Sequence, residues 1–223
     1  MYKYVNGQDS KFSGYGGIED TTKYIDAKYG FGWIESLASS IPGIARFKQS
    51  ELEGNSNNCT LASITRIMKY YSDRGYPQIP SDIIEIYKKV REIGIEHGYD
   101  PKKVGLLRDL FVYTPWDIDN IVRDTWKAFG YFNGGSNNSY LGKLGTIESN
   151  IDNSCPLLLN ITYGDYKGHT VSVIGYKVFS KECEKNITFV QIYDGWSDAV
   201  RYIDWKMFGM TPASVTRILP PTT

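Results

Sequence analysis

Cys59 lies where the polar loop Gly54-Asn55-Ser56-Asn57-Asn58 gives way to a regular apolar pattern: Leu61, Ile64, Ile67, Met68 and Tyr71. Spacings of three and four mark one face of a helix. A helix that begins at a cysteine offers the sulfur unpaired N–H groups and the positive end of the helix dipole, both of which favour thiolate over thiol. Asn58 stands where its side-chain oxygen could cap that helix. A thiolate nucleophile needs a base, and the chain has only two histidines, His97 and His169. His97 precedes Gly98 in the last turn of an expected helix, where an imidazole complements the negative helix end; it reads as a cap. His169 follows Gly168 and opens the strand-like run Thr170–Phe179, and on its own it reads as structural. Asp194 changes that reading. It ends the next run, Ile187–Tyr193, and antiparallel neighbours place the start of one strand beside the end of the next. A carboxylate there would hold the imidazole in the tautomer a base needs and stabilise the imidazolium. The plain alternative for an aspartate before Gly195 is turn chemistry.

The elements that must position these residues divide the chain in two. The first part reads as helical: a short helix near Thr21–Lys28, another around Ile34–Ser39, then an extended stretch to Gln49. The Cys59 helix ends at Gly75-Tyr76-Pro77. A helix from Pro80-Ser81 to about Glu96 follows, a short one over Pro101–Val112, and one opened by Thr114-Pro115-Trp116-Asp117 and running to about Phe129. Gly130–Ser139 reads as a Gly/Asn loop. Gly142-Lys143-Leu144 lacks the ending of a phosphate loop. Ile147–Asn153 reads as a short helix. Beyond Pro156 strands dominate: Leu157–Thr162, Thr170–Phe179, Ile187–Tyr193, Ala199–Asp204 and Ser214–Leu219. Helices followed by an antiparallel sheet make an α+β fold.

The chain has 223 residues, enough for one sizeable domain, and its formal charge is zero. The neutral balance argues against nucleic acid or an anionic membrane surface as a partner. No apolar run reaches the roughly 18 residues of a membrane span. The first residues lack a secretory signal, so the protein is expected either to stay inside or to have had a signal removed, the Tyr- and Asn-rich composition leaning towards the cell surface or secretion. Three cysteines, Cys59, Cys155 and Cys183, leave at least one thiol unpaired and match no zinc spacing. Cys155 and Cys183 read as bystander thiols, or as a disulfide in a secreted protein. Trp196 and Trp205 could wall a cleft or pack in the core. Asn58, Asn160 and Asn186 each begin a glycan-acceptor triplet.

Four pieces in order resemble the papain-like cysteine peptidases, and most closely the bacterial branch of double-glycine leader peptidases and their stand-alone relatives. They are Asn58-Cys59-Thr60-Leu61-Ala62-Ser63, Ile151 through Leu159 with Pro156, Gly168 through Tyr176, and Tyr193-Asp194-Gly195-Trp196. The likeness runs from about Gln49 to Trp205. It implies a helical lobe with the nucleophile helix packed on a C-terminal sheet lobe. It also implies a monomeric hydrolase of peptide bonds, with Cys59 as nucleophile, His169 as base, Asp194 as its orienter and no cofactor or metal. Residues 1–48 would be a strap packing its tyrosines on a 49–223 peptidase domain, or the remnant of an inhibitory pro-segment. The family's oxyanion glutamine often stands six residues before the cysteine, and Glu53 is there. A carboxylate would repel an oxyanion, so Gln49 takes the role, with Asn55 and Asn57 as rivals. Two other outcomes stay open: acyl transfer to amines on the same residues, or an inactive papain-like binding protein.

Overall fold

The computed structural model describes residues 14–53, 57–99 and 115–222, with side chains from 117 onward in the helix that starts at 115. The short helix expected over Pro101–Val112 lies outside the described residues. Six helices are present among them: α1 Thr21–Tyr29, α2 Cys59–Ser72, α3 Ile83–Glu96, α4 Pro115–Ala128, α5 Lys143–Asp152 and α6 Trp205–Phe208. Seven strands, β1 Ile34–Ser40, β2 Gly135–Ser139, β3 Leu157–Ile161, β4 His169–Ser180, β5 Ile187–Tyr193, β6 Arg201–Asp204 and β7 Ala213–Leu219, form one antiparallel sheet in the order β2-β7-β3-β4-β5-β6, with β1 also on β4. The α+β class is as expected. No described helix is long and apolar enough to cross a membrane.

Two segments depart from the expected pattern. Ile34–Ser40 is a strand, not a helix, although nearly all of its residues are exposed. The cause lies in its partner. β3 covers only His169–Val173 of the long strand β4, and β1 pairs with Gly175–Ser180 on the rest. Backbone groups left open there need partners more than the side chains of β1 need burial. Likewise the Gly/Asn loop contains β2, paired with Val215–Leu219 of β7. Its polar residues carry no strand periodicity, and the hydroxyl of Thr216 donates to Asn138 Oδ1 at 2.6 Å.

One large apolar cluster joins the buried faces of α2, α3, α4 and α5 to the sheet. Helix α2 is at its centre. All but two of its residues are buried, including Thr60, Ser63, Thr65 and Arg66, so the helix has no solvent face along most of its length. Its polar residues at three-residue intervals are spent on β4. Thr60 Oγ1 meets Thr170 Oγ1 at 2.9 Å, Ser63 Oγ donates to the Thr170 carbonyl at 3.2 Å, and Arg66 Nη1 donates to Ser172 Oγ at 3.1 Å. Thr170 also donates to Asn160 Oδ1, whose amide donates to Ser214 and Thr216 on β7. This buried polar row carries the position of α2 across β4, β3 and β7. It also leaves Asn58 and Asn160 too buried to accept a glycan, whereas Asn186 is exposed.

The N-terminal segment grips the turn before His169. Tyr15 and Gly16 N–H groups donate to the Asp165 carboxylate at 2.6 and 2.8 Å, Gly17 N–H donates to Tyr166 Oη, and Tyr15 Oη donates to the Tyr163 carbonyl. A Cβ on Gly16 would sit 2.4 Å from the Tyr166 ring. Gly16→Ala should therefore displace that ring and cost about 1–3 kcal/mol, a melting-temperature drop of roughly 3–10 °C. Gly145→Ala, whose Cβ meets nothing within 4 Å in α5, should leave the melting temperature unchanged or raise it. Equal melting curves for the two variants would contradict this grip.

Candidate active site

Cys59 is the first residue of α2, and the chain before it is held by four hydrogen bonds, two of them fully buried. Asn58 adopts a non-helical backbone but does not cap α2 with its oxygen, as its position had led us to expect. Its amide instead donates to the Gln49 carbonyl at 3.0 Å and to Tyr87 Oη at 3.2 Å, so the side chain faces away from the helix N–H groups. Tyr87 in turn donates to the Glu53 carbonyl. From the far end of α3, Tyr99 Oη donates to the Asn57 carbonyl at 3.0 Å and lies 4.0 Å from Cys59 Sγ. Tyr99 had no distinguishing mark in the sequence beyond following Gly98, which ends α3. The N–H groups of the first turn of α2, which the Asn58 side chain does not cap, lie at the Cys59 end of the helix.

His169 opens β4 and is in hydrogen-bonding contact with Cys59. Both are almost fully buried, at 4 % and 7 % exposure, so a proton exchanged between them would be shielded from bulk water. His169 Nε2 lies 2.6 Å from the main-chain carbonyl of Asp194. A carbonyl only accepts, so Nε2 carries hydrogen, which leaves Nδ1 to exchange a proton with the thiol. Burial disfavours charge on His169. The negative partner at Cys59, its hydrogen bond, the Asp194 carbonyl and the Asp194 charge outweigh it, and the imidazole pKa is raised above its ordinary value. Trp196 stacks on the ring at 4.3 Å between centroids, and Tyr166 lies nearly parallel at 5.9 Å. Trp196 is thus a wall of the histidine, while Trp205 sits at α6 beside a separate surface hollow of about 330 Å³ that includes none of these residues.

Asp194 does reach His169 through the expected strand-end neighbourhood, but the 2.6 Å contact is made by its backbone. The carboxylate accepts the N–H groups of Trp196 and Ser197 at 3.0 and 3.1 Å and so shapes the turn that presents the carbonyl. Its charge also acts on Arg66. Burial lowers the Arg66 pKa to about 10, against the pull of Asp194, and the guanidinium stays cationic at neutral pH. Arg66 donates to the Ala45 and Phe47 carbonyls and lies over the Phe47 and Tyr193 rings, tying α2 to the strand that leads into Asp194.

Gln49 is buried and stands between the two halves of the site. Its N–H donates to the Gly195 carbonyl at 2.8 Å and its carbonyl receives Asn58. A Cβ on Gly195, which has φ +76°, would come 3.1 Å from Gln49 Oε1. Of the rivals, Asn57 is held through its carbonyl by Tyr99, and Asn55 lies outside the described residues. Glu53 occupies the position six before Cys59, but its largely exposed carboxylate faces Arg91 at 3.7 Å. His97 is the C-cap of α3 and pairs with Asp124 at 2.9 Å. Cys155 and Cys183 are both free thiols.

A comparison with known families matches residues 41–210 to the Peptidase_C39 like family. No curated protein matches the chain significantly. The matched region covers far more than half of the chain and spans Gln49, Cys59, His169 and Asp194; the chain belongs to the Peptidase_C39 like family, which is of the C39 cysteine-peptidase type.

Proposed function

We propose that the protein hydrolyses peptide bonds through Cys59, His169 and Asp194. One observation carries this reading: the only thiol at the start of a described helix is in hydrogen-bonding contact with a buried imidazole whose other nitrogen is held at 2.6 Å. His169 Nδ1 takes the Cys59 proton, and the thiolate attacks the peptide carbonyl. The charge that develops on oxygen is met by the Cys59 N–H at the positive end of α2 and by the Gln49 amide, where one donor is worth about 10²–10³ in rate. His169 then protonates the leaving amine, and water, deprotonated by the same imidazole, releases the acyl group from sulfur. The Glu53 carboxylate faces Arg91, which supports an active site over the inactive alternative. The four matching motifs favour the branch of the double-glycine leader peptidases and their relatives. We read the segment before Gln49 as a supporting strap, since Tyr15, Ile18 and Tyr24 are buried against the body.

Cys59→Ala should abolish cleavage of a protein substrate or peptide library, by on the order of 10⁴–10⁶-fold, with an unchanged circular dichroism spectrum. Undiminished cleavage by that variant would sink the assignment. The Asp194 geometry yields a second expectation. Asp194→Asn keeps the backbone carbonyl and an oxygen for the turn N–H groups, and loses only the charge. It should cost about tenfold in kcat/KM, the equivalent of roughly 1–2 kcal/mol. Asp194→Ala also loses the turn acceptor and should cost considerably more. If the two variants are equally impaired, the carboxylate charge rather than the turn is what positions His169.

A further inference from the structure

Among the described residues, a second polar group besides His169 stands near the sulfur of Cys59. That group is Tyr99. The chain leaves α3 through Gly98 at φ +81°, and Tyr99 N–H returns to the Gly94 carbonyl at 2.7 Å. This closure turns the Tyr99 side chain inward. The ring is buried, and its hydroxyl lies between the Asn57 carbonyl at 3.0 Å and Cys59 Sγ at 4.0 Å. A phenol has one hydrogen to donate and lone pairs to accept with. While Cys59 is a thiol, the Asn57 carbonyl is the better acceptor and S–H can point to the phenol oxygen. Once the proton has moved from Sγ to His169 Nδ1, the sulfur carries a full charge and competes with the amide for the same hydrogen. A hydrogen bond to a charged acceptor is about twice as strong as one to a neutral carbonyl. The hydroxyl turns from Asn57 towards the sulfur, 4.0 Å away, and a small approach of the ring completes the contact.

We infer that Tyr99 is a catalytic residue of this site: its hydroxyl is the second donor to the Cys59 thiolate and raises the fraction of thiolate available to attack. The inference rests on the reading of Cys59 and His169 as a reacting pair. No bond to Tyr99 forms or breaks and its proton stays on oxygen. When the sulfur bonds to the substrate carbon its charge passes to the carbonyl oxygen of the tetrahedral intermediate, and the phenol returns to Asn57. The contact also fixes the loop immediately before the nucleophile, so a purely structural role must be separated from donation.

The test is the pH dependence of iodoacetamide alkylation at Cys59, in a parent protein whose other thiols are removed by Cys155→Ser and Cys183→Ser. Tyr99→Phe should shift the midpoint up by about one pH unit and slow alkylation roughly tenfold on the acid side. Site-specific 3-fluorotyrosine in place of Tyr99 keeps the hydroxyl and its size but makes it a stronger donor, so it should shift the midpoint down. A structural role does not respond to the acidity of the phenol. A midpoint unmoved by Tyr99→Phe, or unmoved by fluorination, overturns the inference. His169→Ala in the same parent separates the two claims. If it leaves the midpoint in place while both Tyr99 changes move it, the reacting-pair reading fails and donation by Tyr99 to the sulfur is retained.

Discussion

A thiol and an imidazole that share a proton out of contact with water face opposing demands. Burial makes each charged form expensive, and the same low polarisability makes their attraction strong. At Cys59 and His169 attraction wins, because the raised His169 pKa appears despite burial being the largest single influence on it. That outcome requires the two groups to be held in contact, since separating them would leave burial unopposed. The rest of the structure is arranged around this requirement. Helix α2 is enclosed along its length, and its Thr60, Ser63 and Arg66 are bound to β4, the strand that His169 begins. A slide of α2 along β4 would break all three contacts together and bury their polar groups unpaired, at about 1–3 kcal/mol each.

The second requirement is that the far side of the imidazole be fixed. Here the protein uses a backbone carbonyl, which carries no full charge to be desolvated and cannot be protonated. The carboxylate of Asp194 is spent on the turn that aims that carbonyl, and its charge is felt by His169 and Arg66. Gln49 ties this turn to the loop ahead of Cys59 through Gly195 and Asn58. Tyr87 of α3 and Tyr99, three residues past its end, brace the same loop. Cys59 is therefore bounded by elements distant in sequence, joined through hydrogen bonds instead of a contiguous motif.

Much of this was legible in the sequence because the groups stand at element ends. Cys59 precedes a clear helical period, His169 follows a glycine at the head of an apolar run, and Asp194 closes another. Strands β3 to β7 were legible because they are buried runs between turn residues. Strands β1 and β2 were not, because pairing demanded by β4 and β7 decides their conformation, and neither segment has an apolar face of its own. The side chain of Asn58 is instead oriented by its amide, which donates to the Gln49 carbonyl and Tyr87 Oη. The three-residue spacing of Thr60, Ser63 and Arg66 was a visible signal of a second, polar contact face on α2. Tyr99 was invisible, one of 18 tyrosines, since its approach to sulfur depends on how α3 packs on α2.

The charge state of His169 is the most direct measure of the central pair. With only two histidines in the chain, ¹⁵N-histidine labelling resolves both rings by NMR. At a pH above the ordinary histidine value of about 6.5, His169 is expected to show both ring nitrogens protonated. Cys59→Ala, which removes the negative partner and leaves burial in command, should convert it to the neutral form with hydrogen on Nε2. A His169 ring that is neutral in the wild-type protein and unchanged by Cys59→Ala would contradict the account.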